Sequence, residues 1–205
     1  MISEKYRFLF IHIPKTAGNA VGQYLYPYSD DIIVAGKPHQ DGVERFGIRH
    51  PRFPITKHST LAQYRALLPP ALFRGLFKFA TLRNPWERMI SLYFSPHRGV
   101  TEWDSVAFKS LVERTAPARY YLNVDSKEGS GRALDADLDC LLRFETLEKD
   151  FQSVCRRLGL PWQGLSRYNA SARQHYTHYY DDELIEVVED RFKEEIAQGG
   201  YRFGN

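Results

Sequence analysis

The chain is poor in cysteine and has no long hydrophobic run. Its two cysteines, Cys140 and Cys155, show no CxxC or CxxxC spacing, so neither a disulfide framework nor a cysteine zinc site is indicated. No apolar stretch approaches the roughly 20 residues that a membrane-spanning helix needs. The pattern of a secretion signal, a charged region followed by an apolar one, is also missing at the N-terminus. We therefore expect a cytoplasmic protein with no membrane span and with both thiols reduced.

A strong overall charge is also absent, but the charge is unevenly spread. A net charge of +3 is not typical of nucleic-acid-binding proteins, so no nucleic-acid partner is expected. Residues 1–100 carry 14 Lys and Arg against 6 Asp and Glu, whereas residues 101–205 carry 14 against 19. A basic N-terminal half fits a small polyanionic ligand, and a simple drift of surface charge along the chain is the alternative. The length and the 43% hydrophobic content suit a single domain over residues 1–205.

The most informative stretch lies near the N-terminus. Residues 8–13 form an apolar run typical of a buried strand, and Pro14 ends strand pairing because it has no N–H to donate. The small residues from Lys15 to Ala20 predict a loop, and residues 21–28 predict a helix. In such a unit, the unpaired N–H groups and the dipole of the helix N-terminus attract an anion, and here a lysine adds a positive charge. The alternative is an ordinary strand-to-helix turn with a surface lysine.

The loop differs from the motif that binds nucleoside triphosphates. That motif reads G-x-x-x-x-G-K-[ST], and its serine or threonine holds Mg²⁺. Here Lys15 precedes Gly18, and no Gly-Lys-Ser or Gly-Lys-Thr occurs in the chain. The ligand expected from the strand, loop and helix together is a phosphate or a close chemical relative.

A second strand–loop–helix unit follows later in the chain. A strand predicted over 76–82 leads to Arg83, and Asn84 is then a good N-cap, followed by a proline that suits the first helical position. The helical spacing predicts two faces, a core face with Trp86, Met89, Ile90 and Tyr93, and another side with Glu87, Arg88 and Ser91. Because ligands of open α/β sheets bind at the carboxyl ends of the strands, Arg83 and Lys15 are expected to converge on one ligand.

The rest of the chain predicts further helices and strands around these two units. Residues 30–53 are rich in turn-forming residues and predict loops. The polar residues 125–137 predict either a mobile lid or a plain surface loop. The other predicted elements are a short strand at 54–58 ending at His58, a helix from Ser59 or Thr60 to Leu68, a helix over 100–123, a strand over 140–144, a helix from Thr146 to Leu158 and a last helix from Asp181. Alternating strands and helices predict an α/β fold with a central, mostly parallel sheet flanked by helices.

Several motifs of the chain are similar to those of a known enzyme family. I-P-K-T-A-G-N-A after the first strand and L-R-N-P-W-E-R-M-I-S-L-Y after the later one resemble the two cofactor motifs of the sulfotransferases. The resemblance is closest to the carbohydrate group that includes the uronosyl 2-O-sulfotransferases. L-L-R-F-E-T-L-E-K-D-F at 141–151 and the aromatic-rich segment leading to G-Y-R-F at 200–203 resemble that group as well. The resemblance runs in order over residues 7–203 and implies a three-layer sulfotransferase fold similar to that of P-loop NTPases.

The resemblance also implies the donor and the residues that bind it. The family transfers the sulfuryl group of 3′-phosphoadenosine-5′-phosphosulfate (PAPS), and no metal is expected. Carried over position by position, the loop residues would hold the 5′-phosphosulfate, namely Lys15, Thr16, Ala17, Gly18, Asn19 and Ala20. Arg83 and Ser91 would hold the 3′-phosphate. Arg173 would reach the 3′-phosphate or the adenine, or is a plain surface arginine.

Two residues are candidates for the chemistry itself. Lys15 would stabilise the negative charge that builds on the leaving phosphate oxygen. His58 matches a similarly placed histidine of the 2-O-sulfotransferase group, and an imidazole can take the proton of an acceptor hydroxyl near neutral pH. Thr56 and Lys57 precede it, so the family's paired-histidine pattern is incomplete, and Lys57 is an alternative contact for substrate or sulfate. The structural alternative for His58 is a histidine bound to backbone groups, and His12 is expected to be a core histidine.

The expected activity is sulfuryl transfer from PAPS to a hydroxyl of a carbohydrate or small metabolite, by in-line displacement. The chain is short, without the long insertions with which such enzymes grip a polysaccharide, and this bears on the acceptor more than on the reaction. Two alternatives stay open, a P-loop-type kinase and a catalytically inactive nucleotide-binding module of the same fold. The sequence does not point to an oligomeric state.

Overall fold

The computed structural model describes residues 1–38, 44–95, 98–122, 133–165 and 174–205. The strands are β1 Ile2–Ser3, β2 Phe8–Ile11, β3 Ile32–Pro38, β4 Glu44–Arg49, β5 Phe77–Leu82 and β6 Cys140–Arg143. The helices are α1 Gly18–Leu25, α2 Leu61–Leu67, α3 Pro70–Gly75, α4 Pro85–Tyr93, α5 Ser105–Arg114, α6 Ala118–Leu122, α7 Leu147–Leu158, α8 Asp182–Arg191 and α9 Lys193–Gly199. Short 3₁₀ helices cover Tyr26–Tyr28, Phe144–Thr146 and Tyr176–Tyr179.

A four-stranded sheet forms the centre of the fold, in the order β1-β2-β5-β6. β2, β5 and β6 are parallel, with Phe10 opposite Phe79 and Phe79 opposite Cys140, while β1 pairs antiparallel with β2. The parallel register brings the carboxyl ends of β2 and β5 side by side. The segments that follow these two strands therefore meet at one edge of the sheet, as the sequence predicts.

Helices cover both faces of this sheet. Along β2, Phe8 and Phe10 point to one apolar cluster and Leu9 and Ile11 to another, because successive strand residues alternate between faces. The first cluster is completed by side chains of α1 and α7, including Val21, Leu25, Phe151 and Val154. The second is completed by α2, α4, α5 and α8, including Leu61, Met89, Phe108 and Val188. The chain thus has an α/β fold with a mixed sheet between helices.

Three helix boundaries, the starts of α4 and α2 and the end of α7, follow local capping signals. The Asn84 side chain accepts hydrogen bonds from the N–H groups of Trp86 and Glu87, as expected of an N-cap. Thr60 and Gln63 form a capping box at the start of α2. Gly159 ends α7 in the left-handed conformation, with φ 67°.

The prediction of loops over residues 30–53 is wrong for residues 32–38 and 44–49, and residues 39–43 lie outside the described part of the chain. β3 and β4 pair as an antiparallel hairpin, with Ile33 opposite Ile48. A register shift between Ala35 and Pro38 lets β3 contain a glycine and a proline without losing the pairing. Turn-forming residues were therefore a poor guide here, because a bulge accommodates them inside a strand.

Two other predicted elements also differ. Residues 54–58 form no strand, and the chain turns at 57–58, closed by bonds from the N–H of Ser59 to the carbonyl of Thr56 and from the N–H of Thr56 to Ser59 Oγ. The helix predicted over 100–123 is two shorter helices, α5 and α6, with Pro117 between them. Within the described ranges, no helix has the length and apolar character needed to cross a membrane.

Candidate functional site

The loop after β2 has a strained backbone. Lys15 and Ala17 both lie in the left-handed region, with φ 68° and 64°, where a residue with a side chain costs about 1–2 kcal/mol. α1 begins directly after them at Gly18, and no side chain caps its N-terminus. Successive N–H groups in such a turn, at an uncapped helix start, form a concavity that suits an anion.

Side chains hold every carbonyl at the entrance of this loop. Four consecutive carbonyl oxygens each accept a side-chain hydrogen bond, from His58 Nδ1 to His12 (3.0 Å), Thr16 Oγ1 to Ile13 (2.9 Å), Arg88 Nε to Pro14 (3.1 Å) and Arg83 Nη1 to Lys15 (3.1 Å). In a planar trans peptide, the C=O and N–H groups point in opposite directions. Anchoring the carbonyls in the protein therefore fixes the directions of the loop's N–H groups.

The loop side chains are not equivalent. Lys15 is half-buried, and its Nζ donates to Ser95 Oγ at 3.3 Å. The Thr16 side chain is buried and turned into the protein toward Ile13, so its backbone N–H is the group that remains for a ligand. Ala17, Asn19 and Ala20 are half-buried at the start of α1.

Gly18 is required by the close approach of a histidine ring. A Cβ added at Gly18 would lie 1.9 Å from Cδ2 of His12, far inside van der Waals contact. His12 is buried, as the sequence predicts for a core histidine. Burial lowers the pKa of His12 well below its ordinary value, and the nearby His58 and Lys57 lower it further. The His12 ring is therefore neutral, and Gly18, the first residue of α1, packs directly against it.

Arg83 lies beside the loop, as predicted, but much of its guanidinium is already bound. Its Nε and Nη2 atoms face the carboxylate of Glu87, at 3.4 and 2.8 Å, and the guanidinium carbon lies 3.9 Å from the centre of the Phe144 ring. With Nη1 donating to Lys15, three of its five N–H groups have protein partners. Arg83 and Lys15 thus meet at one place, with the Arg83 fork directed at Glu87.

Ser91 lies one helical turn beyond Glu87 on the same side of α4, because residues four apart in a helix are neighbours. It is half-buried. Arg173, the remaining predicted cofactor residue, lies outside the described residues, as does most of the segment 125–137.

His58 presents one ring nitrogen outward. Because a carbonyl only accepts, the bond to His12 requires the proton to be on Nδ1, which leaves the lone pair on Nε2. The residue is exposed at the surface, and its ring centre lies 4.7 Å from that of His12. Partial removal of the ring from water lowers the pKa of His58, the backbone bond opposes this, and the charge of Lys57 adds to the lowering. The ring is therefore neutral at pH 7, in the tautomer that can accept a proton.

The sequence predicts that Arg88 lies on the side of α4 away from the core, and this prediction is wrong. It is buried, at 2% exposure, and forms a salt bridge with the equally buried Glu195 of α9, with Nη1 and Oε1 3.4 Å apart. Its other donors reach the carbonyls of Pro14 and Ala116, and Glu195 also accepts from the N–H of Ala118 at 2.7 Å. Arg88 therefore ties the loop before Lys15 to the C-terminal helix. The available signal was a helix with apolar residues on most sides, which leaves an arginine little exposed surface.

The second unit is also fastened by residues that the sequence did not single out. Glu145 accepts from the N–H of Asn84 at 2.8 Å and from the hydroxyl of Tyr201 at 3.0 Å. The side chain of Asn84 in turn donates to the carbonyl of Asn205 at 3.3 Å. Segments after residue 140 thus support the turn that carries Arg83.

Comparison with known proteins gives one family. The model of the sulfotransferase family matches residues 1–128, well over half of the chain, which includes the loop at Lys15, His58, Arg83 and Ser91. No curated protein and no solved structure matched the chain. Among the described residues, no group of three or more His, Cys, Asp or Glu side chains is placed to hold a metal ion.

Proposed function

This chain belongs to the sulfotransferase family, and from that premise we propose that it uses PAPS to sulfate a hydroxyl of a carbohydrate or small metabolite. The observation that carries the proposal is the strained loop after β2, with its four anchored carbonyls and its uncapped helix start. PAPS, when bound, supplies an activated sulfuryl group at one of its two anionic ends, the 5′-phosphosulfate. We further propose that the chain is closest to the uronosyl 2-O group, that it has a P-loop-NTPase-like arrangement in one domain over 1–205, and that it acts in the cytoplasm.

The loop residues Lys15 to Ala20 would hold the 5′-phosphosulfate. The N–H groups at the start of α1 point along the helix axis toward the negative charge, and the lysine adds a full positive charge. Since negative charge builds on the leaving oxygen, Lys15 would stabilise the transition state more than the ground state. Removal of one such group typically lowers kcat by about 10²–10³-fold.

Arg83 and Ser91 would hold the 3′-phosphate. The two N–H groups of Arg83 that do not bind Glu87 or Lys15 remain for it, and Ser91 offers a hydroxyl one turn beyond Glu87. Glu87 restricts the guanidinium to one orientation, and Phe144 supports its plane. Arg173 stays part of the proposal as a contact to the 3′-phosphate or the adenine.

His58 would be the base. Its Nε2 would accept the proton of the acceptor hydroxyl, while the Nδ1–H bond to the His12 carbonyl keeps the ring in one tautomer. The lowered pKa keeps the imidazole neutral and ready to accept at pH 7. General-base catalysis of this kind contributes about 10²–10⁴-fold.

A binding test addresses the donor. 3′-Phosphoadenosine-5′-phosphate (PAP) should raise the melting temperature more than ADP does, because only PAP carries a 3′-phosphate for Arg83 and Ser91. Equal shifts for the two nucleotides would contradict the proposal. Lys15→Ala should lower the PAP shift, whereas Lys5→Ala, which removes an exposed lysine before β2, should not.

A transfer test addresses the reaction. Labelled sulfate should pass from PAPS to acceptors in a small-molecule and oligosaccharide extract, with the products identified by mass spectrometry, and EDTA should not inhibit the transfer. A requirement for Mg²⁺ with ATP as donor would favour the P-loop-type kinase instead. PAP binding without any transfer would favour the inactive nucleotide-binding module.

A further inference from the structure

A cavity of about 470 Å³ opens at the amino ends of β2, β5 and β6. These are the ends opposite to the candidate site, since Arg7 precedes β2 and Phe77 begins β5, whereas Lys15 and Arg83 follow the same strands. We call it the arginine groove, after its lining of Arg7, Arg74 and Arg157 around an apolar floor of Leu76, Phe77 and Leu158. Its size falls within the range of small-molecule sites, about 300–1,000 Å³.

Two of the three guanidiniums each have one contact that positions them at the groove. Arg7 adopts φ 54°, and its Nε donates to the carbonyl of Gly75 at 3.2 Å, which places its guanidinium at the rim of the groove. The Arg157 guanidinium lies over the Phe77 ring, 5.2 Å from its centre. Within the described part of the chain, Arg74 and Arg157 donate no hydrogen bond, and both are exposed. Their N–H groups are available to a ligand.

The positive charge of the groove exceeds what the surrounding structure neutralises. The acidic residue in the lining, Asp139, already accepts from the N–H and the Nζ of Lys78, at 2.7 and 3.4 Å. The C-terminal ends of α3 and α7 also lie here, and each contributes at most about half a negative charge. These ends account for about one of the three guanidinium charges. A surplus of about two positive charges is left facing the cavity.

We propose that the arginine groove binds an organic sulfate or phosphate ester, with its charged group on the arginines and its organic part on the apolar floor. A guanidinium matches the oxygens of a sulfate or phosphate group in geometry and bonds them with two parallel N–H groups. Leu76, Phe77 and Leu158 provide the surface that an inorganic anion would leave uncovered. The site is separate from the loop at Lys15 and does not depend on the function proposed above.

The test is calorimetric titration of the whole chain with 2-naphthyl sulfate, with 2-naphthyl phosphate and with neutral 2-naphthol. At least one ester should bind saturably with one site per chain, and at least tenfold more tightly than the naphthol. The ester with the higher affinity identifies the preferred head group. Arg74→Ala/Arg157→Ala should weaken this binding about tenfold or more, because it removes two sets of charge-assisted hydrogen bonds.

Two matched variants place the ester. Arg156 is exposed beside Arg157 on α7, but its side chain does not line the groove. Arg156→Ala should therefore change the affinity for the ester less than twofold. Lys15→Ala should also change it less than twofold. Equal losses in the Arg156→Ala and double variants, a loss in Lys15→Ala, or the absence of saturable binding would each overturn the proposal. Since Arg74 and Arg157 are exposed, the double variant should have nearly the same melting temperature as the wild type. A loss of binding in this variant is then not a loss of fold.

Discussion

The two ends of the central sheet use arginine in opposite ways. At the carboxyl ends of the strands, Arg83 and Arg88 are buried and bind carbonyls of the loop and carboxylates of Glu87 and Glu195. At the amino ends, Arg74 and Arg157 are exposed and donate no hydrogen bond within the described residues. A buried guanidinium with fixed partners is a structural group that sets the shape of a backbone. An exposed one with open donors contributes little to the fold and is available to a ligand.

The difference predicts a large loss of stability when a buried arginine is replaced by methionine, and a small change when an exposed one is replaced. Arg88→Met should lower the free energy of unfolding by about 3–5 kcal/mol, because Glu195 is left as a buried, unpaired charge. Arg157→Met should change it by less than about 1 kcal/mol. Urea denaturation of the two variants and the wild type measures both values. Equal losses would remove the distinction between the two ends.

A double variant separates the fold from the position of the loop. Glu195→Gln keeps an acceptor for the N–H of Ala118 and removes the charge, so Arg88→Met/Glu195→Gln should regain about 1–3 kcal/mol over Arg88→Met alone. Sulfuryl transfer should be low in both the single and the double variant, because the carbonyl of Pro14 lacks its donor in each. Activity that returns together with stability would show that Arg88 acts only through the fold.

The same contrast marks what the sequence can and cannot predict. Signals that lie within a few residues gave correct elements, such as the Asn84 cap before a proline and the glycine that ends α7. The sequence also predicted that Lys15 and Arg83 meet, because parallel strands bring their carboxyl ends together. The salt bridge of Arg88 with Glu195 joins residues 107 apart, and no local pattern encodes such a partner.

The errors have a related cause. Gly36, Pro38 and Gly47 favour loops, although the bulged hairpin contains all three. Residues 54–58 predict a strand, although the turn found there is closed by Ser59, one residue beyond the predicted strand. Three of the four loop carbonyls are also anchored by side chains from distant segments, namely His58, Arg88 and Arg83. Residue types at the candidate site were therefore readable, whereas the contacts that shape it needed the structure.

Glycines at the two ends allow a second comparison. A Cβ added at either glycine would come too close to a neighbouring side chain. At Gly18 it would lie 1.9 Å from His12 Cδ2, and at Gly75 it would lie 2.2 Å from Arg7 Nη2. The ring of His12 is buried and cannot move away, so Gly18→Ala should destabilise the fold by about 1–3 kcal/mol and weaken PAP binding. The tip of Arg7 is flexible and exposed, so Gly75→Ala should cost less than about 0.5 kcal/mol.

Urea denaturation and PAP titration of both alanine variants test this expectation. Adding His12→Ala to Gly18→Ala removes the clashing ring, and PAP affinity should then partly recover even though the cavity left by the ring lowers stability. If Gly75→Ala proves the more harmful change, the carboxyl end is not the more rigid of the two.

The smallest expected effect concerns the pH dependence of the proposed reaction. Partial removal of the ring from water and the charge of Lys57 lower the pKa of His58. A base must be deprotonated to act, so the acid limb of kcat/KM should lie below the ordinary histidine value of about 6.5. Lys57→Gln removes a positive charge that disfavours the imidazolium. The pKa of His58 should therefore rise, and the limb should move to higher pH.

Lys5→Gln, at the other end of the sheet, should leave the limb unchanged because salt screens so distant a charge. His58→Ala should abolish the limb together with most of the activity, and a limb that persists in that variant would assign the base to another group.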